Sequence, residues 1–466
     1  MNTSLFKKRY TVGTLEYSFW QMMNIFFWML WGSIALTSLG QTFGASTKFL
    51  YRANGLSDTF LAVVTGTIFG MINVVMNPVL STMSDRHRGR LGRRVPYILY
   101  TALPTAFFLA AMPFYPYLIR LLPETILGFS TVSLVFGAGS ILYWFFYLYV
   151  AILYFYLIPD VIPAELMGRF YGLFRVSGVI FGTAFSWWVY KYVQDFPQYI
   201  YPACAVFYLL TIGGMCYFVR EGGYPPPENS GSKLPWYKKL VATVKQYISD
   251  CYGHKYYLVF YITGVAYGVH GCINMFMDFF YLEGCGLTMA ELGKLGAILG
   301  VVGMISCFCA GFVTDKLGAF ATSIISLLLL ALSYFSCGIF IHGYTSALIL
   351  RIPQSVFGCI YAVAAGRILV EVYPRSKFGM MASGSNLLTS LVAALINIPF
   401  GLFSDFMRNS TPETTLMIGK YDLMPLLKGY RFTNYYAGFC ILVSMLLLTY
   451  FYFHYQRKRV GNAFDE

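Results

Sequence analysis

The stretch Ser84-Asp85-Arg86-His87-Arg88-Gly89-Arg90-Leu91-Gly92-Arg93-Arg94 separates two apolar runs of membrane-crossing length, 59–83 and 95–118. It carries five arginines in eleven residues. Short basic loops between spans are retained on the cytoplasmic side, so this one sets the orientation of the chain and supplies charges for a gate. A shorter echo, Thr314-Asp315-Lys316-Leu317-Gly318, again follows one Gly-rich apolar run and precedes another. The chain therefore reads as two related halves, each with an acid at the inner end of its second helix.

Composition agrees with that reading. Of the 466 residues 58% are hydrophobic, 19% aromatic and only 11% charged, which leaves too little polar surface for a soluble globule. At about 20 residues per spanning helix, twelve apolar segments fall near 17–40, 59–83, 95–118, 127–158, 170–193, 199–219, 256–282, 290–313, 319–341, 345–372, 379–403 and 432–455. The runs are continuously apolar rather than alternating, so they are helices and not barrel strands. The expected fold is an all-α membrane protein with twelve transmembrane helices in two pseudo-symmetric six-helix bundles, residues 1–219 and 256–466, joined by a linker over 220–255.

The net charge of +13 is not a nucleic-acid signal, because its distribution is topological. About 21 of the Lys and Arg residues fall in cytoplasmic segments, about 8 outside and about 4 within helices, which is the positive-inside bias. Both termini are then cytoplasmic, with Lys7-Lys8-Arg9 before the first helix and Arg457-Lys458-Arg459 after the last, as in a multi-pass protein of a cell (inner) membrane. The first run is too long and too rich in Trp and Phe for a cleaved signal. Ten cysteines without a CxxC spacing read as small packing residues, with no metal site and no cofactor.

The segment Glu221-Gly222-Gly223-Tyr224-Pro225-Pro226-Pro227-Glu228-Asn229-Ser230-Gly231-Ser232 has linker composition. Beyond it, Trp236, Leu240, Val244 and Ile248 recur at helical spacing opposite Lys238, Lys239 and Lys245, the pattern of a helix lying on the inner membrane surface. A second repeat supports the two halves. Asp160-Val161-Ile162-Pro163 and Glu371-Val372-Tyr373-Pro374 each place an acid three residues before a proline, and Gly168 and Gly379 each follow five residues after it. Duplicated units of this kind are what alternating-access transporters are built from.

Asp85 through Arg94 followed by Val95-Pro96-Tyr97-Ile98-Leu99 resembles the inner loop of the major facilitator superfamily. In detail, over residues 60–180, it is similar to the glycoside–pentoside–hexuronide:cation symporters typified by melibiose permease, and to the related sucrose transporters. Asn77-Pro78 and Arg175 also sit where that group's motifs place them. The resemblance implies a sodium site of three carboxylates, two on the second helix and one on the fourth. The corresponding positions here are Asn73, Asn77 and Ala151, which lack the charge a hard cation favours. A competing resemblance, through Leu30-Trp31-Gly32-Ser33 and Leu36-Thr37-Ser38-Leu39-Gly40, is to bacterial nucleoside:proton symporters.

Polar side chains at bilayer depth are costly and mark binding sites. On the seventh span His270, Asn274 and Asp278 are spaced by four, hence on one helical face, with Tyr267 a turn below. Such a stripe can hold substrate hydroxyls, and His270 or Asp278 can carry a proton. The first half offers Gln21, Asn24 and Trp28, then Asn73 and Asn77, then Tyr143, Trp144 and Tyr147, and Arg175. Amides and charged donors suit hydroxyl edges, and aromatic plates suit sugar or base faces. Packing is the competing reading for each aromatic, and a bend at Pro78 for Asn77.

For gating, Asp85 and Asp315 are expected to dock on helix N-termini near Gly379 and Gly168 respectively. Arg93 and Arg94 are expected to pair with Asp160 or Glu165, and Arg367 with Glu371. The sequence contains no H-E-x-x-H, G-x-S-x-G or G-x-x-x-x-G-K-[ST], so an enzyme is not expected. The expected activity is secondary transport of a small polar solute, a sugar or glycoside, by a monomer in the lipid bilayer, coupled to a proton rather than sodium. A nucleoside:proton symporter is the alternative, and a receptor or scaffold that does not transport is the alternative of another class.

Overall fold

In the computed structural model the described residues are 9–89, 91–223, 245, 247–374, 378–410, 417–418, 421–422 and 424–457. They form long helices, with a few two-stranded hairpins such as Tyr10–Val12 with Leu15–Tyr17 at helix ends. The long helices are α1 (Phe19–Ala53), α2 (58–86), α3 (Val95–Ile119), α4 (Thr131–Val161), α5 (167–192), α6 (Pro197–Phe218), α7 (Lys255–Gly284), α8 (Met289–Leu317), α9 (Ala319–Phe340), α10 (Tyr344–Val372), α11 (Phe378–Asn409) and α12 (Phe432–Gln456). Of the helix expected through Trp236, Leu240, Val244 and Ile248, the first three residues lie outside the described residues and Ile248 is helical.

Local chemistry sets several of these boundaries. Ser18 opens α1 with a capping box, its N–H donating to Gln21 Oε1 at 2.8 Å, and Thr288 opens α8 with the same device through Glu291. Pro96 stands in the first turn of α3, where a missing N–H leaves no hydrogen bond unmade. Between α8 and α9 the chain reverses at Gly318, whose φ of 82° is open to glycine and strained for other residues.

Eleven of the described helices are long and apolar enough to cross a membrane, and the chain is a multi-pass membrane protein. Each of the twelve segments expected from the sequence coincides with a long helix among the described residues. The segment expected at 170–193 does form a helix, α5, but Arg169 and Arg175 on its first half dilute its apolar character.

Two compact units divide the chain, Met1–Asn229 and Ser230–Glu466. In the first, α1 packs on α5 and α6, α3 on α4 and α6, and α2 on α4. In the second, α7 packs on α11 and α12, α9 on α10 and α12, and α8 on α10. Adding six to each helix number turns one scheme into the other, so the sequence repeat is a repeat of packing. Small residues make some of these approaches possible. A Cβ on Gly303 of α8 would come within 3.3 Å of Ser355 Oγ on α10.

Candidate functional site

Most of the second unit's polar candidates sit on α7, and its backbone is not uniform. It is α-helical over Lys255–Gly268, tightens to a 3₁₀ turn over Val269–Ile273, returns to α-helix over Asn274–Phe279 and widens to a π turn over Phe280–Gly284. A 3₁₀ residue advances about 120°, against about 100° in an α-helix. The four-residue stripe is therefore broken: His270 and Asp278 are half-buried while Asn274 is exposed. This corrects the single-face expectation.

His270 Nδ1 meets the carbonyl oxygen of Tyr267. A carbonyl only accepts, so Nδ1 is the donor and Nε2 is the atom left for a proton or a ligand. The Tyr267 ring lies 4.5 Å from the imidazole and 4.4 Å from the ring of Tyr361 on α10, and Tyr334 on α9 stands 6.1 Å from His270.

Next to Asp278 the structure adds residues that the sequence reading passes over. Arg351 on α10 donates from Nη1 to Gln354 Oε1, and its guanidinium lies 5.7 Å from the centre of the Tyr281 ring. Asp278, Tyr334 and Cys337 are close enough to act on its charge. Gln354 is 5% exposed. Among the described residues, the Tyr281 hydroxyl is buried without a hydrogen-bond partner, and the Tyr334 hydroxyl stands against both Gln354 and Arg351. The sequence signal for this cluster is an arginine and a glutamine, three apart, inside an otherwise apolar span.

The first unit presents a different picture. Tyr143 is fully buried, with the Phe43 ring stacked on it at 3.9 Å and Tyr147 stacked at 5.8 Å. Trp144 packs against Phe69 at 4.3 Å and Phe43 at 4.7 Å. These rings cover one another, which is packing rather than an open plate. Asn77 Nδ2 donates to the carbonyl oxygen and Oδ1 of Asn73, at 2.9 and 2.7 Å. That bond lies one residue before Pro78, whose nitrogen donates nothing. Gln21 is engaged in the α1 cap, and Trp28 stacks on Phe218 at 4.3 Å. Asn24 and Arg175 are exposed.

At the charged loop, Arg93 grips Asp160 with Nη2 at 2.8 Å and Nε at 3.2 Å, and Arg94 Nη1 lies 3.0 Å from the same carboxylate. Glu165 is exposed. Glu221, at the end of the unit, accepts from the backbone N–H groups of Arg93, Arg94 and Val95 at 3.0, 2.8 and 2.8 Å. It thus caps the N-terminus of α3, where the helix dipole favours an anion. Gly92 permits this approach: it has φ 98°, and a Cβ there would sit 2.6 Å from Glu221 Cδ. In the second unit Arg367 contacts both Asp315 and Glu371, the latter at 3.2 Å. The side chain of Asp85 lies outside the described residues.

No protein-family model and no curated protein matches the sequence. Solved structures do. The D-xylose–proton symporter aligns with a TM-score of 0.63 at 15% identity over 92% of this chain and 97% of its own. The nucleoside transporter NupG, as a mutant, aligns at 0.65 and 10% identity, covering 92% and 100%. A bacterial homologue of the human lysosomal transporter Spinster, inward-facing and unoccupied, aligns at 0.65 and 14% identity, covering 94% and 97%. At these identities the likeness establishes the fold, that of the major facilitator superfamily, and leaves chemistry to the site.

Proposed function

We propose that the chain is a secondary transporter of a small polar solute, a sugar or glycoside, working by alternating access as its two six-helix units rock. The observation that carries this reading is the set Tyr267, His270, Asp278, Arg351 and Gln354, of which Gln354 is buried and the others are half-buried inside spanning helices. Groups so costly to place at membrane depth are kept where they meet a solute or an ion. The structural likeness to a D-xylose–proton symporter supports the solute class, as does the loop resemblance to the melibiose-permease group. Coupling falls to a proton. Asn73, Asn77 and Ala151 offer a sodium ion no charge, whereas His270 Nε2 and Asp278 can exchange a proton. The reading also places the protein in a cell (inner) membrane with both termini cytoplasmic.

A second solute class, nucleosides, is favoured by the Leu30-Trp31-Gly32-Ser33 stretch and by the likeness to NupG. Uptake of labelled D-xylose, melibiose, sucrose and uridine into proteoliposomes separates the two. Saturable sugar uptake competed by sugars supports the proposal. Uptake confined to uridine selects the nucleoside reading, and saturable binding with no uptake of any of them contradicts transport.

A further inference from the structure

Two cavities of the second unit meet where α7 and α11 end and α12 begins. One, of about 280 Å³, has Glu283, Arg408, Lys428 and Phe432 in its lining. The other is an apolar groove of about 480 Å³ whose walls include Ile396, Phe403, Leu427, Phe432 and Phe439. Phe432 belongs to both, and Lys428 directly follows Leu427. The charged cavity is held in place by backbone packing: Gly429 has φ 61°, and a Cβ on Gly284 would run into its carbonyl oxygen, so the π turn of α7 is seated on the turn before α12. At about 1.5 Å of rise per residue, Phe439 stands about 10 Å along α12 from Phe432, and Ile396 about 20 Å along α11 from the end of that helix. The groove thus runs from charged helix ends toward the middle of the spans, and it is open on its outer side, where Phe439 is 61% exposed.

Lipid tails cover every outward apolar face of a spanning helix, so apolarity by itself selects nothing. What sets this groove apart is its mouth, where Arg408 and Lys428 face a single acid, Glu283. The lining carries an excess of one positive charge. A phosphate accepts from a guanidinium and an ammonium together, and basic pockets beside spanning helices select anionic headgroups. A soluble phosphate leaves the groove unused, and a zwitterionic lipid brings no net charge to balance the cations. We propose that the groove and its mouth hold one phospholipid of single net negative charge, with its phosphate at Arg408 and Lys428 and an acyl chain lying along α11 and α12. So placed, the lipid ties the neighbouring ends of α7, α11 and α12 to one another.

The test is native mass spectrometry of the full chain in detergent, titrated with dioleoylphosphatidylglycerol or with dioleoylphosphatidylcholine, reading the first lipid bound. Phosphatidylglycerol should bind about fivefold more tightly or better. Arg408→Gln and Lys428→Gln should each weaken it about fivefold and leave phosphatidylcholine within about twofold. Ile396→Trp, which fills the groove, should also weaken phosphatidylglycerol, and soluble sn-glycero-3-phosphoglycerol, which has the headgroup and no chains, should not displace it at equal concentration. Equal affinity for the two lipids, or selectivity that survives both glutamine variants, overturns the proposal. Displacement by the soluble headgroup shows a site for a free phosphate and overturns it as well. If Ile396→Trp does not fold, the glutamine variants, at an exposed and a half-buried position, still decide the outcome.

Discussion

Arg93 and Asp160 are joined through two guanidinium nitrogens, although 67 residues separate them in the chain. Their side chains are only 16% and 11% exposed, and Arg94, at 8%, shares the same carboxylate. The equivalent acid in the other half, Glu371, meets Arg367 with exposures of 38% and 45%. The repeat thus keeps the residue types but not the burial.

That difference predicts unequal effects of neutralisation. Removing one partner of a buried pair leaves a desolvated charge and costs up to about 3–5 kcal/mol, and because this cluster retains some solvent contact, Asp160→Asn should fall near the lower end. Glu371→Gln should leave thermal stability unchanged within error, as exposed pairs do. Melting in detergent followed by tryptophan fluorescence checks both. Equal losses would show that burial is not what separates the two sites.

Glu221 caps α3 with three backbone N–H bonds. Glu221→Gln should destabilise the purified protein by about 0.3–2 kcal/mol through the lost charge at the helix N-terminus. Gly92→Ala should cost more, because it adds a clash with the carboxylate and a strained φ. The same melting assay ranks them, and the reverse order would argue against the cap.

Gly268 brings α7 against α11 so closely that an added Cβ would meet Thr389 Cγ2 at 2.2 Å. Overpacking of this kind costs about 1–3 kcal/mol. Gly268→Ala should therefore destabilise, and Thr389→Ser, which deletes that methyl, should recover part of the loss in the double variant. A strictly additive double variant would place the strain elsewhere.

Orientation is checked by cysteine labelling. Cysteines placed within 222–232 should react from the cytoplasmic side and one at Asn54 from the opposite side, as the charge bias requires. External labelling of 222–232 would contradict the assigned topology. Native Cys285, beyond the end of α7, should contribute little background: burial pushes its thiol up to about 11 against the opposing effect of Arg431. The reactive thiolate is then scarce at pH 7.5 and increases only as pH rises.

The helices were legible because long apolar runs and a basic loop leave few alternatives, and the Arg93, Arg94 and Asp160 contact followed from opposite charges at neighbouring helix ends. Other features were hidden for physical reasons. Spacing by four assumes an α-helix, so the 3₁₀ turn at Val269–Ile273, flanked by Gly268 and Gly271 within it, rotated Asn274 out of the expected stripe. Counting Lys and Arg for topology treats a cation inside a span as an exception, and Arg351 was lost there. Aromatic residues on α4 do not declare in sequence whether their faces are covered, and those of Tyr143 are.

Coupling is read most directly by imposing a pH gradient and a sodium gradient separately on proteoliposomes and following uphill uptake against counterflow. A pH gradient should drive accumulation and a sodium gradient alone should not. His270→Gln or Asp278→Asn should abolish proton-driven accumulation while counterflow persists, since exchange needs binding and reorientation but no net proton movement. Sodium-driven accumulation by the unsubstituted protein, or full proton-driven accumulation in both variants, would contradict proton-coupled transport through α7.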